Sequence, residues 1–160
     1  MLANGLLSTP LDRMRSMVAA SPAYQAWIGA ADATAALDRV FLLQTSRKPL
    51  LPLCLIDLGD QFERVRTRIL NGRPFESAGQ LIVYFRDLVP DGVDDIEAVY
   101  AFTNQVGAVW NDLEQLAGTR GMVGITGITL AVPPTRIEAD RRQYTQDYFE
   151  IALACSFRLT

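Results

Sequence analysis

From residue 146 to the end of the chain, apolar and polar or small positions alternate. Phe149, Ile151, Leu153, Cys155, Phe157 and Leu159 interleave with Glu150, Ala152, Ala154, Ser156 and Arg158. A period of two held this long predicts a strand with one face on a core; on a helix the same residues would ring the whole circumference. A second pattern has the other period. Ile96, Val99, Phe102, Val106, Val109, Trp110, Leu113 and Leu116 recur at threes and fours, with Asn104, Gln105, Asn111, Asp112 and Gln115 opposite. This predicts a long amphipathic helix over about 94–117, opened by Asp94 with Glu97 in capping-box spacing and stopped at Gly118. Such a helix needs a sheet to lie on.

The remaining segments supply that sheet and a second helical layer. Residues 11–20 can place Leu11, Met14, Met17 and Val18 on one side of a short helix. Ser21-Pro22 reads as an N-cap and a proline at the first helical position, opening a helix to about residue 28, with Gly29 as its stop. Over 31–44 the pattern allows both a helix at 33–37 and a buried strand at 40–43. Residues 50–56 are extended, since Pro49 and Pro52 forbid a regular helix and favour an edge strand or a strand's beginning. Asp57-Leu58-Gly59-Asp60 is expected to close that strand with a turn. Residues 61–70 fit either period, but Asn71-Gly72 is a hairpin signal and favours a strand, with 81–85 as its partner. Pro90-Asp91-Gly92 ends the latter. Residues 122–132 read as a strand ending at Pro133-Pro134, followed by a long polar loop over 133–144. The final strand then pairs with 122–132 at the sheet's centre, its small residues on the polar side open to another subunit. The sum is a single α+β domain, 1–160, with an N-terminal helical segment (1–30) and a sheet-plus-helix core (50–160). The sheet is largely antiparallel and twisted, with the long helix and the N-terminal helices packed against it.

Composition narrows the chemistry. The chain has 160 residues, 49% of them hydrophobic, and is long enough to bury a core. It has no histidine, which removes the commonest acid–base group and metal ligand. Cys54 and Cys155 both fall in apolar strand-like runs and read as buried free thiols. Neither a signal-peptide core nor a membrane-length apolar run is present, so the chain is expected in the cytoplasm when made, with no membrane partner. The net charge of −3 argues against a protein that coats nucleic acid.

No catalytic or cofactor-binding set emerges. Gly118, Gly121, Gly124 and Gly127 follow a helix instead of opening one, so they do not form a phosphate cradle. Asp57 with Asp60, and Asp91 with Asp94 and Asp95, lack the spacing of a calcium loop and suit turns and helix capping. The only lysine, Lys48, lies beside a proline, and no nucleophile elbow occurs. No enzyme activity, cofactor or metal is therefore expected. Two arginine groups remain: Arg64, Arg66 and Arg68 on one face of a strand, and Arg136, Arg141 and Arg142 in the polar loop. They read either as a solvated face or as an interface for acidic partners or the phosphates of passing DNA.

The order of elements from 52 to 159 resembles the tail terminator and tail-completion (neck) proteins of long-tailed bacteriophages. The likeness rests on the proline-containing strand at 51–57, the hairpin ending in Gly79-Gln80-Leu81-Ile82-Val83-Tyr84-Phe85, and the capped helix. It extends through Ile125-Thr126-Gly127-Ile128-Thr129-Leu130, the polar loop and the alternating strand at 148–158; the helix at 21–27 matches as well. The resemblance implies a structural virion protein with no cofactor. Such proteins form a ring, usually a homohexamer, that caps the tail tube and meets the head–tail connector during virus assembly. DNA passes through the ring without sequence-specific binding. The arginines would then face a neighbouring subunit or the tail tube protein. A head-closure or connector adaptor protein fits the same pattern; a small cytoplasmic ligand-binding or enzymatic α+β domain is the alternative from a different class.

Overall fold

The computed structural model describes residues 5, 7–43, 50–65, 76–139 and 144–159. Three helices come first: α1 (Ser8–Ala19), α2 (Pro22–Ile28) and α3 (Ala33–Leu37). The short β1 (Val40–Leu42) and the long strands β2 (Leu53–Val65) and β3 (Glu76–Leu88) follow, then α4 (Asp95–Leu116), β4 (Gly124–Ile137) and β5 (Tyr148–Leu159). The strands form one sheet in the order β1-β2-β3-β5-β4, antiparallel except for β1 beside β2. This is the α+β architecture that the two periodicities predict.

The ambiguous stretch 31–44 holds both elements: Asp32 caps α3 by accepting from the Ala35 amide, and β1 follows at once. Ser21 caps α2 by accepting from the Tyr24 amide, and Gly29 ends it with φ 71°, a left-handed backbone that suits glycine. Asp94 caps α4 through the Ile96 amide.

Cross-strand pairing divides the sheet into two faces. On one, Cys54 and Ile56 stand beside Phe85, Val83 and Leu81, which stand beside Ile151, Leu153 and Cys155. These join Met14, Met17, Val18, Tyr24, Phe102, Val106, Val109 and Leu113 in one buried cluster beneath the helices. The aromatic side chains of Phe85, Trp27, Phe102 and Phe149 meet in that order across it.

Several local expectations give way to tertiary context. Residues 57–60 do not close a strand; β2 runs through them, and the register with β3 shifts between Leu58 and Phe62. Glycine in a strand is as much a bulge signal as a turn signal. The partner strand fits this irregularity with Gly79, where an added Cβ would lie 2.4 Å from the Gln61 carbonyl oxygen. Likewise β4 does not stop at Pro133-Pro134. It lies at the sheet's edge, where missing N–H donors are tolerated, and absorbs the prolines through register shifts between Leu130, Val132 and Thr135. Arg136 therefore sits on a strand and not in a loop. The middle strand is β3, with β5 inside the sheet beside it. At the end of α4 the cap is Ala117 in a right-handed conformation; the left-handed turn falls at Gly121, φ 84°. Ile96 is exposed, and Ala98 takes the buried place in that turn. The Asn71-Gly72 turn lies outside the described residues, though β2 and β3 pair as the hairpin requires.

Candidate assembly interface

No described helix lies on the second face of the sheet. Leu53, Leu55 and Asp57 of β2 stand there beside Arg86, Tyr84 and Ile82 of β3, which stand beside Glu150, Ala152 and Ala154 of β5. Leu53, Leu55, Ala152 and Ala154 are nevertheless buried. Ile82 and Tyr84 are partly exposed, so a molecule laid on this face would meet them before it met the alanines.

A charged pair sits among these residues. Arg86 Nε donates to Glu150 Oε1 at 2.8 Å, and the two side chains keep only 14% and 12% of their exposure. The guanidinium also lies 5.3 Å from the centre of the Tyr148 ring, which packs on Tyr144 at 4.8 Å between centroids. Arg86 and Glu150 are direct cross-strand partners, so the sheet's register fixes the pair. Although burial opposes its charge, the hydrogen bond and nearby carboxylate of Glu150 raise the Arg86 pKa. Burial, then the carboxylates of Glu150 and Asp57, push the Tyr84 phenol above its ordinary range, and it remains an uncharged hydroxyl. The face thus presents aromatic and aliphatic groups around an internally neutralised ion pair.

The arginines singled out in the sequence are placed unequally. Arg136 projects to the helix side of β4 and is held by two carboxylates. Its Nε and Nη2 donate to Asp147 at 3.1 and 2.9 Å, and its Nη1 donates to Asp95 at 3.1 Å. It ties the end of the edge strand to the start of β5 and to the first turn of α4. Asp147 also accepts from the Ala139 amide, and these bonds lower its pKa. Arg64 lies on β2 close to its end. Arg66, Arg68, Arg141 and Arg142 lie outside the described residues.

Residues outside the arginine groups do much of the positioning. Ser21 Oγ donates to Asp112 Oδ2 at 2.7 Å, and the same oxygen accepts from the Ala23 amide, pinning α2 to the polar side of α4. Trp27 Nε1 donates to Asp87 at 3.0 Å, pinning α2 to the end of β3. Burial raises the pKa of Asp87 against the lowering effect of that bond. Cys54 and Cys155 are free and buried; burial pushes the Cys155 thiol up to about 12 and Cys54 well above its ordinary value. The alternation of β3 and β5 contains Arg86 and Glu150, but only the strand order makes them partners.

Among the described residues no group of three or more cysteine or acidic side chains is placed to hold a metal ion. No described helix is long and apolar enough to cross a membrane. No protein-family model matches the chain, and no curated protein matches it. Among solved structures it is similar to a chain of a particle described as "Virion of native gene transfer agent (GTA) particle". That match has 8% sequence identity and a TM-score of 0.43, and it covers 98% of this chain and 100% of the other. At that score the likeness carries no inference about what this chain does.

Proposed function

We propose that this chain is a structural virion protein, a subunit of a homo-oligomeric ring, usually six copies in proteins of this type, that caps a phage tail tube and joins it to the head–tail connector. The observation that supports this reading best is the uneven cover of the sheet. The described helices all pack on one face, which leaves the other face and the outer edge of β4 without a described helix and free to meet other chains. The order of elements resembling tail terminator and neck proteins supports it independently. In such an assembly the protein's partners are its own copies, the tail tube protein and the connector, with DNA passing through the bore. Its place is the virion, reached after assembly in the host cytoplasm. No catalytic role, cofactor or metal enters this reading.

The arginine groups Arg64, Arg66, Arg68, Arg136, Arg141 and Arg142 are the proposed contacts with neighbouring subunits or the tube. Of these, Arg136 already has two carboxylate partners in its own chain, so its part is to hold the edge strand in place. Reversing Arg64, Arg66 and Arg68 to glutamate together tests the reading. The expected outcome is loss of ring formation or of tail joining, measured by native mass spectrometry and by the yield of joined particles. Normal assembly of the triple variant would remove the arginines from the interface.

A further inference from the structure

At one end of the sheet the helix layer leaves a groove. Trp27, Leu88, Val93, Ala101, Phe102 and Phe149 line a cavity of about 570 Å³ between α2, the end of β3 and the first turns of α4. Its lining and the neighbouring first turns of α4 carry exposed apolar side chains. Val93 is 44% exposed, Ile96 64% and Tyr100 66%, and Leu88 is 39% exposed. These are large side chains for one small region of surface. The rim is acidic: Glu97 and Asp87 line the groove, and Asp91 and Asp94 are exposed in the adjoining turn and cap. A groove with an apolar floor and a carboxylate rim suits a segment carrying both arginines and large apolar residues.

The chain contains such a segment. Arg66, Arg68 and Arg73 occur together with Ile69, Leu70 and Phe75 in the sequence between Val65 and Glu76. Topology forbids a chain from placing it in its own groove. Ser77 pairs with Leu159 at one end of the β3–β5 ladder and Leu88 with Tyr148 at the other. At about 3.3 Å per strand residue the two ends are roughly 36 Å apart. Ten residues that leave and return at one end reach no more than about 18 Å beyond it, even fully extended.

We infer that the groove between α2, β3 and α4 receives the arginine-bearing 66–75 segment of a second copy of this chain. Unlike surfaces at opposite ends of one subunit make a heterologous contact, which closes a ring when the rotation between subunits allows. The inference rests on the ring reading above and gives it a contact.

The test mixes two singly substituted chains, Thr67→Cys and Ala101→Cys, with a short bis-maleimide, as free protein at rising concentration and in purified particles. The native thiols are buried and do not compete. A mixture of Thr67→Cys with Thr129→Cys, on β4, is the control. The expected result is a crosslinked heterodimer at about tenfold the control yield, as the local concentration in a docked pair dictates. Adding Glu97→Arg should reduce that yield, and adding Arg68→Glu to the other chain should restore it. An oligomer whose groove crosslinks only at the control yield overturns this contact and leaves the ring reading standing. A chain that is monomeric at every concentration and missing from particles overturns both.

Discussion

The two faces of the sheet are held together by different means. Under the helices, burial is apolar and redundant: Phe85, Val83, Leu81, Ile151, Leu153 and Cys155 share one cluster with side chains from all four described helices. On the open face, buried alanines and leucines share their surface with one ion pair, two tyrosines and the partly exposed Tyr84. The first arrangement is that of a folding core. The second pairs Arg86 with Glu150 inside the face and keeps part of its surface wettable, which suits a face that is to exist alone and later meet another chain. Stability should therefore reside mainly under the helices, and specificity on the open face and the sheet ends.

The largest expected effect breaks the first face. Phe85→Ala removes a fully buried ring and should cost about 3–5 kcal/mol, read as a shift in the denaturant midpoint at unchanged slope. On the second face, Arg86→Ala leaves Glu150 partly buried without its partner and should cost about 1–3 kcal/mol. The double variant Arg86→Met with Glu150→Leu should recover most of that loss and raise non-specific self-association, measured by light scattering. If the double variant is as unstable as the single one, the pair is contributing stability in its own right and the contrast between the faces weakens.

Smaller effects sharpen the comparison. Ser21→Ala removes both the α2 cap and the bond to Asp112, and should cost about 1–2 kcal/mol in thermal or chemical melts. Asp87→Asn tests the junction where the helix layer meets the end of β3. The raised pKa of Asp87 means its protonated form is favoured in the folded chain. Its contribution is thus fully present below the unfolded carboxylate pKa and fades as pH rises through the raised value. Asparagine keeps an acceptor for Trp27 without the charge. It should flatten the stability profile in that acidic window and leave neutral-pH stability unchanged or slightly higher. A marked loss of stability at neutral pH would show that the charge itself is needed.

How much of this was legible in the sequence follows from what each period encodes. The alternation over 149–159 and the threes and fours over 96–116 each record burial against a layer, so both elements and the helix-covered face could be read directly. The bulge at Leu58 to Phe62 and the passage of β4 through two prolines could not, because glycine and proline signal a local break. Whether a strand ends or bends at such a break depends on the pairing available beside it. The open-face pair was hidden for a related reason: Arg86 and Glu150 are 64 positions apart and become neighbours only through strand order. The arginines were easy to see and harder to place. Arg136 proved to be tied within its own chain, and Arg66, Arg68, Arg141 and Arg142 fall outside the described residues.

The central claim is that this chain is a repeated structural part of a phage-like particle. The most direct test is the copy number of the chain per purified particle, by quantitative mass spectrometry of particles produced by the genome that encodes it. The account predicts a fixed stoichiometry equal to one ring, with the chain lost from particles when Arg64, Arg66 and Arg68 are reversed. Absence of the chain from intact, tailed particles would contradict it.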